Sequence, residues 1–115
     1  GAIIVSTPQE VALLDVKRGI KMFDKLGVKI LGLIDNMSFF VGDDKKKYYL
    51  FGEGGVEKTA HEFQKEFLGE IPINPLVGKY GDLGKPIVES EPDHEISKIY
   101  IKLAHKIKKD FLKQN

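Results

Sequence analysis

The 115-residue chain predicts an α/β fold: a parallel sheet with helices on both faces, plus a β-hairpin insertion. Three observations carry this reading. Val28 to Ile34 is too apolar for a strand with one wet face, and such a continuous run suits a parallel strand buried on both faces. A shorter apolar run, Ala2 to Val5, precedes it, with a helical stretch between them of the kind a parallel crossover needs. After Asn36 the texture changes to two aromatic-rich runs around a charged tip, which reads as a hairpin.

Taken in order, Ala2 to Val5 is a buried strand with Ser6 at its end, and Thr7-Pro8-Gln9-Glu10 announces a helix. Thr7 suits the cap, Pro8 the first helical position, and Glu10 completes a capping box. Leu13, Val16, Ile20 and Phe23 then form one apolar stripe, and Gly27 supplies a left-handed terminating residue, so one helix is expected over residues 8 to 26. Strand, helix and strand make a βαβ unit with an expected right-handed crossover.

Ser38 to Val41 and Tyr48 to Phe51 are the expected hairpin strands, around the tip Gly42-Asp43-Asp44-Lys45-Lys46-Lys47. Three lysines at a tip either contact an anionic group or are simply solvated. Gly52-Glu53-Gly54-Gly55 lacks the Lys-Ser/Thr that ends a phosphate-binding loop and reads as a flexible entry to the next helix. That helix has a narrow apolar face of Val56, Thr59, Ala60 and Phe63, with His61 on the surface.

Phe67 to Ile71 is a third strand, ended by Pro72. Beyond it, Gly78, Gly81, Gly84, Pro86 and Pro92 interrupt any regular pattern, so a long functional loop is expected. Asp93 is expected to cap a final helix whose apolar face is Ile96, Ile99, Leu103, Ile107 and Phe111. Its other face carries Lys98, Lys102, Lys106, Lys108, Lys109 and Lys113, and such a helix either packs on its own sheet or lies on a membrane. His94 and His105 share the helix without metal-ligand spacing.

The length suits a single domain, residues 1–115. With 18 basic and 17 acidic residues the net charge does not argue for a nucleic-acid or membrane partner. The chain has no cysteine, which excludes disulfides and every thiolate-held metal or cluster on this chain alone. No apolar run approaches the ~20 residues of a membrane helix, so a cytoplasmic protein is the expectation. Gly1-Ala2-Ile3-Ile4-Val5 enters a buried strand without any lead-in, as a piece of a longer chain does.

For chemistry, Asp35 and Asn36 stand at the carboxyl end of the apolar strand, where open α/β sheets bind ligands. The alternative is that Asn36 only turns the chain. There is no nucleophile elbow, no metal-spaced histidine pair and no pair of carboxylates within one element, so no catalytic residue and no metal ligand is assigned.

The order of motifs carries the reading further. Gly1 to Asp15 (GAIIVSTPQEVALLD), Asp35-Asn36-Met37-Ser38-Phe39-Phe40, Phe51-Gly52-Glu53-Gly54-Gly55, Leu68-Gly69-Glu70-Ile71-Pro72-Ile73-Asn74-Pro75 and Gly81-Asp82-Leu83-Gly84-Lys85-Pro86 together resemble the Mrp/ApbC family. These are MinD-like P-loop ATPases that carry iron–sulfur clusters, and the resemblance is to their carboxyl-terminal half. It implies a P-loop NTPase sheet, an ATP ligand with magnesium in the full-length protein, a homodimer, and iron–sulfur client apoproteins as partners. The family's phosphate-binding loop and magnesium-binding acidic residues lie upstream of Ala2, so this chain alone is expected not to hydrolyse ATP. Asn36 matches the asparagine that reads adenine, and Pro72, Ile73, Asn74 and Pro75 match the loop that walls the base. Thr7 to Glu10 match a segment near the dimer face. Cluster-binding members place Cys-x-x-Cys in the hairpin, and the matching stretch from Val41 to Lys47 has no sulfur, so no iron–sulfur cluster is expected on this chain. The alternative is a MinD/ParA-like nucleotide-switched positioning or regulatory protein without a cluster role.

Overall fold

The computed structural model describes residues 1–113, with side chains through residue 110. Its elements, in chain order, are β1 (Ala2–Ser6), α1 (Glu10–Lys25), β2 (Ile30–Asn36), β3 (Phe40–Val41), β4 (Lys47–Tyr48), α2 (Gly55–Glu62), β5 (Phe67–Ile71), α3 (Pro75–Asp82), α4 (Ile87–Ser90) and α5 (Glu95–Lys113). β1, β2 and β5 form a parallel sheet in that order, and β3 and β4 form a separate antiparallel hairpin.

β2 is the middle strand and supplies core to both faces. On one face Ile30 and Leu33 pack with Val16 and Ile20 of α1 and Val56 and Ala60 of α2. On the other, Ile34 packs with Leu68 and Ile71 of β5 and Leu103 of α5, with Ile99 and Ile107 at the margin. Burial on both faces explains why the run looked uniformly apolar: Ile30 and Leu33 meet α1 and α2 on one side, and Ile34 meets α5 on the other. Gly32 permits the close approach of β5, because a Cβ there would lie 2.5 Å from Leu68 Cγ and 2.9 Å from the Glu66 carbonyl oxygen.

Several boundaries differ from the sequence expectation. α1 begins at Glu10, and the capping box does not form: Gln9 is the cap residue and makes no side-chain cap bond, while the Thr7 hydroxyl donates to the Gln9 side chain. Gly27 does take the left-handed conformation after the helix, at φ 72°. β2 runs on through Asp35 and Asn36, because both are paired in register with β5. The hairpin strands are only two residues each. The Asp44 carboxylate tightens the tip by accepting from the Tyr48 hydroxyl and the Lys46 amide, which hold it below the usual carboxylate range.

The expected long loop after Pro72 is largely helical, as α3 and α4. Asn74 and Pro75 overcome the glycines: the Asn74 side chain accepts from the Leu76 amide at 2.9 Å, and Pro75 is preset for the first turn. The buried Ser97 hydroxyl reaches the carbonyls of Ile87 (3.1 Å) and Glu91 (2.7 Å), fastening α4 to α5. Asp93 does not cap α5. His94 does so, its Nδ1 accepting from the Ile96 amide at 3.1 Å. The α5 face expected to be apolar packs on the sheet through Ile99, Leu103 and Ile107, and Ile96 is buried as well; the side chains of Phe111 and Lys113 lie outside the described residues.

β1 has β2 on one side and no strand on the other among the described residues. Val5 is 56% exposed there, and an open groove of about 370 Å³ runs beside Ile4, Val5, Thr7, Val16 and Phe23.

Candidate functional site

The carboxyl ends of β2 and β5 carry the polar residues that the sequence singled out. β2 pairs with β5 as Asp35 with Glu70 and Asn36 with Ile71. Met37 then takes a left-handed conformation (φ 53°) and reverses the chain. That turn lets the Ser38 amide donate to the Ile71 carbonyl (3.0 Å) and the Phe39 carbonyl accept from the Ile73 amide (2.7 Å). The segment after β5 is thus sewn to the segment after β2, and Asn36 lies opposite Ile71 at the point where the two leave the sheet.

Among the predicted residues, Asn36 is half-buried, and its side-chain amide has no hydrogen-bond partner among the described residues. Pro72 is buried, while Ile73 and Asn74 are half-buried and Pro75 is exposed. Asn74 spends its side-chain oxygen on the α3 cap, so Asn74 and Pro75 first serve that helix.

Next to them sits a cluster of which the sequence singled out only Asp35. Asp35 is 1% exposed, Ser38 is fully buried, and Glu70 is half-buried. The Ser38 hydroxyl lies 3.0 Å from Asp35 Oδ2 and 2.5 Å from Glu70 Oε2, while Asp35 Oδ1 is buried without a partner among the described residues. Burial raises the Asp35 carboxyl to about 6; Ser38 works against this, and the neighbouring Glu70 charge adds to it. Tyr49 stands close by, its phenol pushed up by burial and then by the charges of Glu70, Glu53 and Asp35. Its ring packs on Phe39 at 5.8 Å, and Lys47 Nζ lies 4.5 Å from the Phe39 ring centre. A signal for the cluster was present in the sequence: Glu70 is an acid inside an otherwise apolar strand, and Asp35 is another.

A groove of about 600 Å³ opens elsewhere, between α1 and the entry to α2, lined by Pro8, Leu13, Leu14 and Phe51 with Glu10 and Lys58. It does not include Asn36. The donor set does not fit an iron–sulfur cluster: there is no thiolate in the chain, Asp44 is engaged within the hairpin, and no metal-competent group of His, Asp and Glu occurs among the described residues. Among the described residues no helix is long and apolar enough to cross a membrane.

Comparison with known proteins agrees with this architecture. An iron–sulfur cluster carrier protein of Aquifex aeolicus is 46% identical over 105 residues, covering 90% of this chain and 29% of the relative. The mouse iron–sulfur cluster transfer protein NUBPL is 39% identical, covering 93% of this chain and 34% of its own length. The chain therefore spans about a third of the curated relatives it matches. Among solved structures, a nucleotide-binding protein from Archaeoglobus fulgidus in complex with ADP is 40% identical, with a TM-score of 0.67 over 81% of this chain and 38% of that one. The septum site-determining protein MinD of Pyrococcus horikoshii, complexed with Mg-ADP, is 26% identical with a TM-score of 0.71 over 92% of this chain and 40% of its own. The family described as "ParA: NUBPL iron-transfer P-loop NTPase" matches residues 1–108, and the chain belongs to it.

Proposed function

We propose that this chain forms the base-recognition side of an ATP site in an iron–sulfur cluster carrier or transfer protein. The observation that carries the reading is the sewn pair of strand exits, in which Asn36 is paired in register with Ile71 and keeps its side-chain amide without a partner among the described residues. A primary amide offers one acceptor and two donors, matching the exocyclic amine and ring nitrogen of adenine. On the edge that carries N7, guanine offers two acceptors where adenine offers an acceptor and a donor, so one amide cannot pair guanine there in the two-bond way it pairs adenine.

In this reading the phosphates and magnesium are held by residues other than these 115, which contain no Gly-x-x-x-x-Gly-Lys-Ser/Thr loop. The cluster is cargo, and this chain supplies none of its ligands. A nucleotide-dependent homodimer acting on iron–sulfur apoproteins in the cytoplasm completes the proposal. It is preferred to a MinD-like positioning role because identities to cluster carriers reach 46%, against 26% for the P. horikoshii MinD.

Titrating isotope-labelled chain with adenosine and guanosine tests it. Adenosine should move the Asn36 side-chain amide and Ile73 resonances at millimolar concentration, and guanosine should not. Equal responses to both, or shifts confined to the groove between α1 and α2, would contradict the assignment.

A further inference from the structure

Asp35 and Glu70 face each other on adjacent strands with a single hydroxyl between them. Like charges directly opposite are unfavourable in a sheet, and among the described residues neither carboxylate has a lysine or arginine within ion-pair distance. Ser38 has one proton and can donate it to only one of the two acids at a time. With both acids ionised, one contact becomes a repulsion between lone pairs, and Asp35 Oδ1 becomes a buried charged oxygen without a partner.

One arrangement removes both problems. A proton on Asp35 Oδ2 is donated to Ser38 Oγ, and Ser38 passes its own hydroxyl proton to the Glu70 carboxylate as a hydrogen bond. Asp35 Oδ1 is then the carbonyl oxygen of a neutral acid, far cheaper to leave unpaired than half of a carboxylate. The shorter contact, 2.5 Å to Glu70, is the one that ends on the charged acceptor, as charge-assisted bonds do.

We propose that Asp35, Ser38 and Glu70 form a proton-held clasp that fastens the end of β2 to the end of β5 and so sets Asn36 against the segment from Pro72 to Ile73. The clasp lies one residue from Asn36 in sequence, and Ser38 also supplies the amide that holds the Ile71 carbonyl. The other groups facing it are Ser6, paired with Asp35 from β1, and Tyr49, with Glu53 farther off. α2 brings Val56, Thr59 and Ala60 to its face of the sheet, none of them charged. Closing the clasp takes up one proton, and opening it releases one. Asp35 and Glu70 are therefore positioning residues, and the further role in base binding rests on the function proposed above.

The test tracks the amide and carboxyl resonances of the labelled chain from pH 4.5 to 8, without ligand and then with adenosine. The wild type should show one transition between pH 5 and 7, shared by the Asp35 carboxyl and the amides of Asn36, Ser38 and Ile73. Asp35→Asn, whose amide imitates the neutral acid, should hold those three amides at their low-pH positions throughout. Glu70→Gln should move the Asp35 transition down, and reports on the clasp even if Asp35→Asn folds poorly. Adenosine affinity should be several-fold higher at pH 5.5 than at 7.5 in the wild type and flat in Asp35→Asn. An Asp35 carboxyl that titrates at an ordinary aspartate value, or that titrates without moving Asn36 and Ile73, overturns the clasp. A shared transition with no response to adenosine leaves the clasp standing and removes the base-site reading instead.

Discussion

Asp35 of β2 and Glu70 of β5 stand in register across the sheet, and both carboxyl groups converge on the buried hydroxyl of Ser38. Burial of Asp35 at this junction makes stability depend on pH in an unusual direction. The folded Asp35 carboxyl is raised from 3.8 to about 6, chiefly by burial, so the folded state holds its proton more tightly than the unfolded chain does. The contribution is fully present below pH 3.8 and is lost as pH rises through about 6. Two pKa units correspond to roughly 3 kcal/mol. Denaturant midpoints of wild type minus Asp35→Asn should therefore fall between pH 4 and 7, and a flat or rising difference would show that Asp35 is ionised in the fold at ordinary cost.

Asn74 caps α3, and this gives a second prediction. Asn74→Ala should cost about 1 kcal/mol, while Asn74→Asp or Asn74→Ser should restore most of it. Melting curves of the three variants decide the matter. If alanine is neutral, the cap contributes nothing and the residue is freed for a direct role at the base.

Among the described residues, β1 has no strand partner along one edge, beside the exposed Val5 and Ile3. Such an edge pairs readily with another strand. The chain should self-associate with rising concentration, and Val5→Lys should suppress this, as light scattering can measure. Monomeric behaviour of the wild type at millimolar concentration would mean that the edge is protected.

With no cysteine and no phosphate loop, the purified chain should take up no stoichiometric iron and sulfide on anaerobic reconstitution and should not turn over Mg-ATP. A charge-transfer band with matching iron and sulfide content would assign the cluster to oxygen and nitrogen ligands. Turnover above a blank that survives further purification would place catalytic residues within these 115.

The three parallel strands, the two-faced burial of β2 and the amphipathic α5 were legible because each rests on a periodic apolar pattern extending over several residues. Helix starts were less so. Thr7 had the right neighbours for a capping box, yet its hydroxyl is taken by Gln9, a competition between two local bonds that spacing does not resolve. The glycine and proline content from residue 75 to 92 suggested a loop, whereas Asn74, Pro75 and the Ser97 tether suffice for two short helices. Of the candidate site, Asn36 was visible as a polar break after an apolar run, whereas the segment after β5 was singled out only through the family resemblance of residues 68–75. The clasp was not, because Asp35 and Glu70 are 35 residues apart and meet only through the register of β2 with β5.

The most direct test of the base-reading assignment is Asn36→Ala, assayed for ATP and GTP binding and for melting temperature in the protein that carries this chain. Loss of the amide should weaken ATP binding by roughly 1 to 3 kcal/mol, the cost of leaving a buried polar group unpaired, and should bring ATP and GTP affinities together. The melting temperature should barely change, since the Asn36 side chain bonds to nothing else among the described residues. Unchanged selectivity with a lower melting temperature would contradict the account and leave Asn36 as a residue that only shapes the turn.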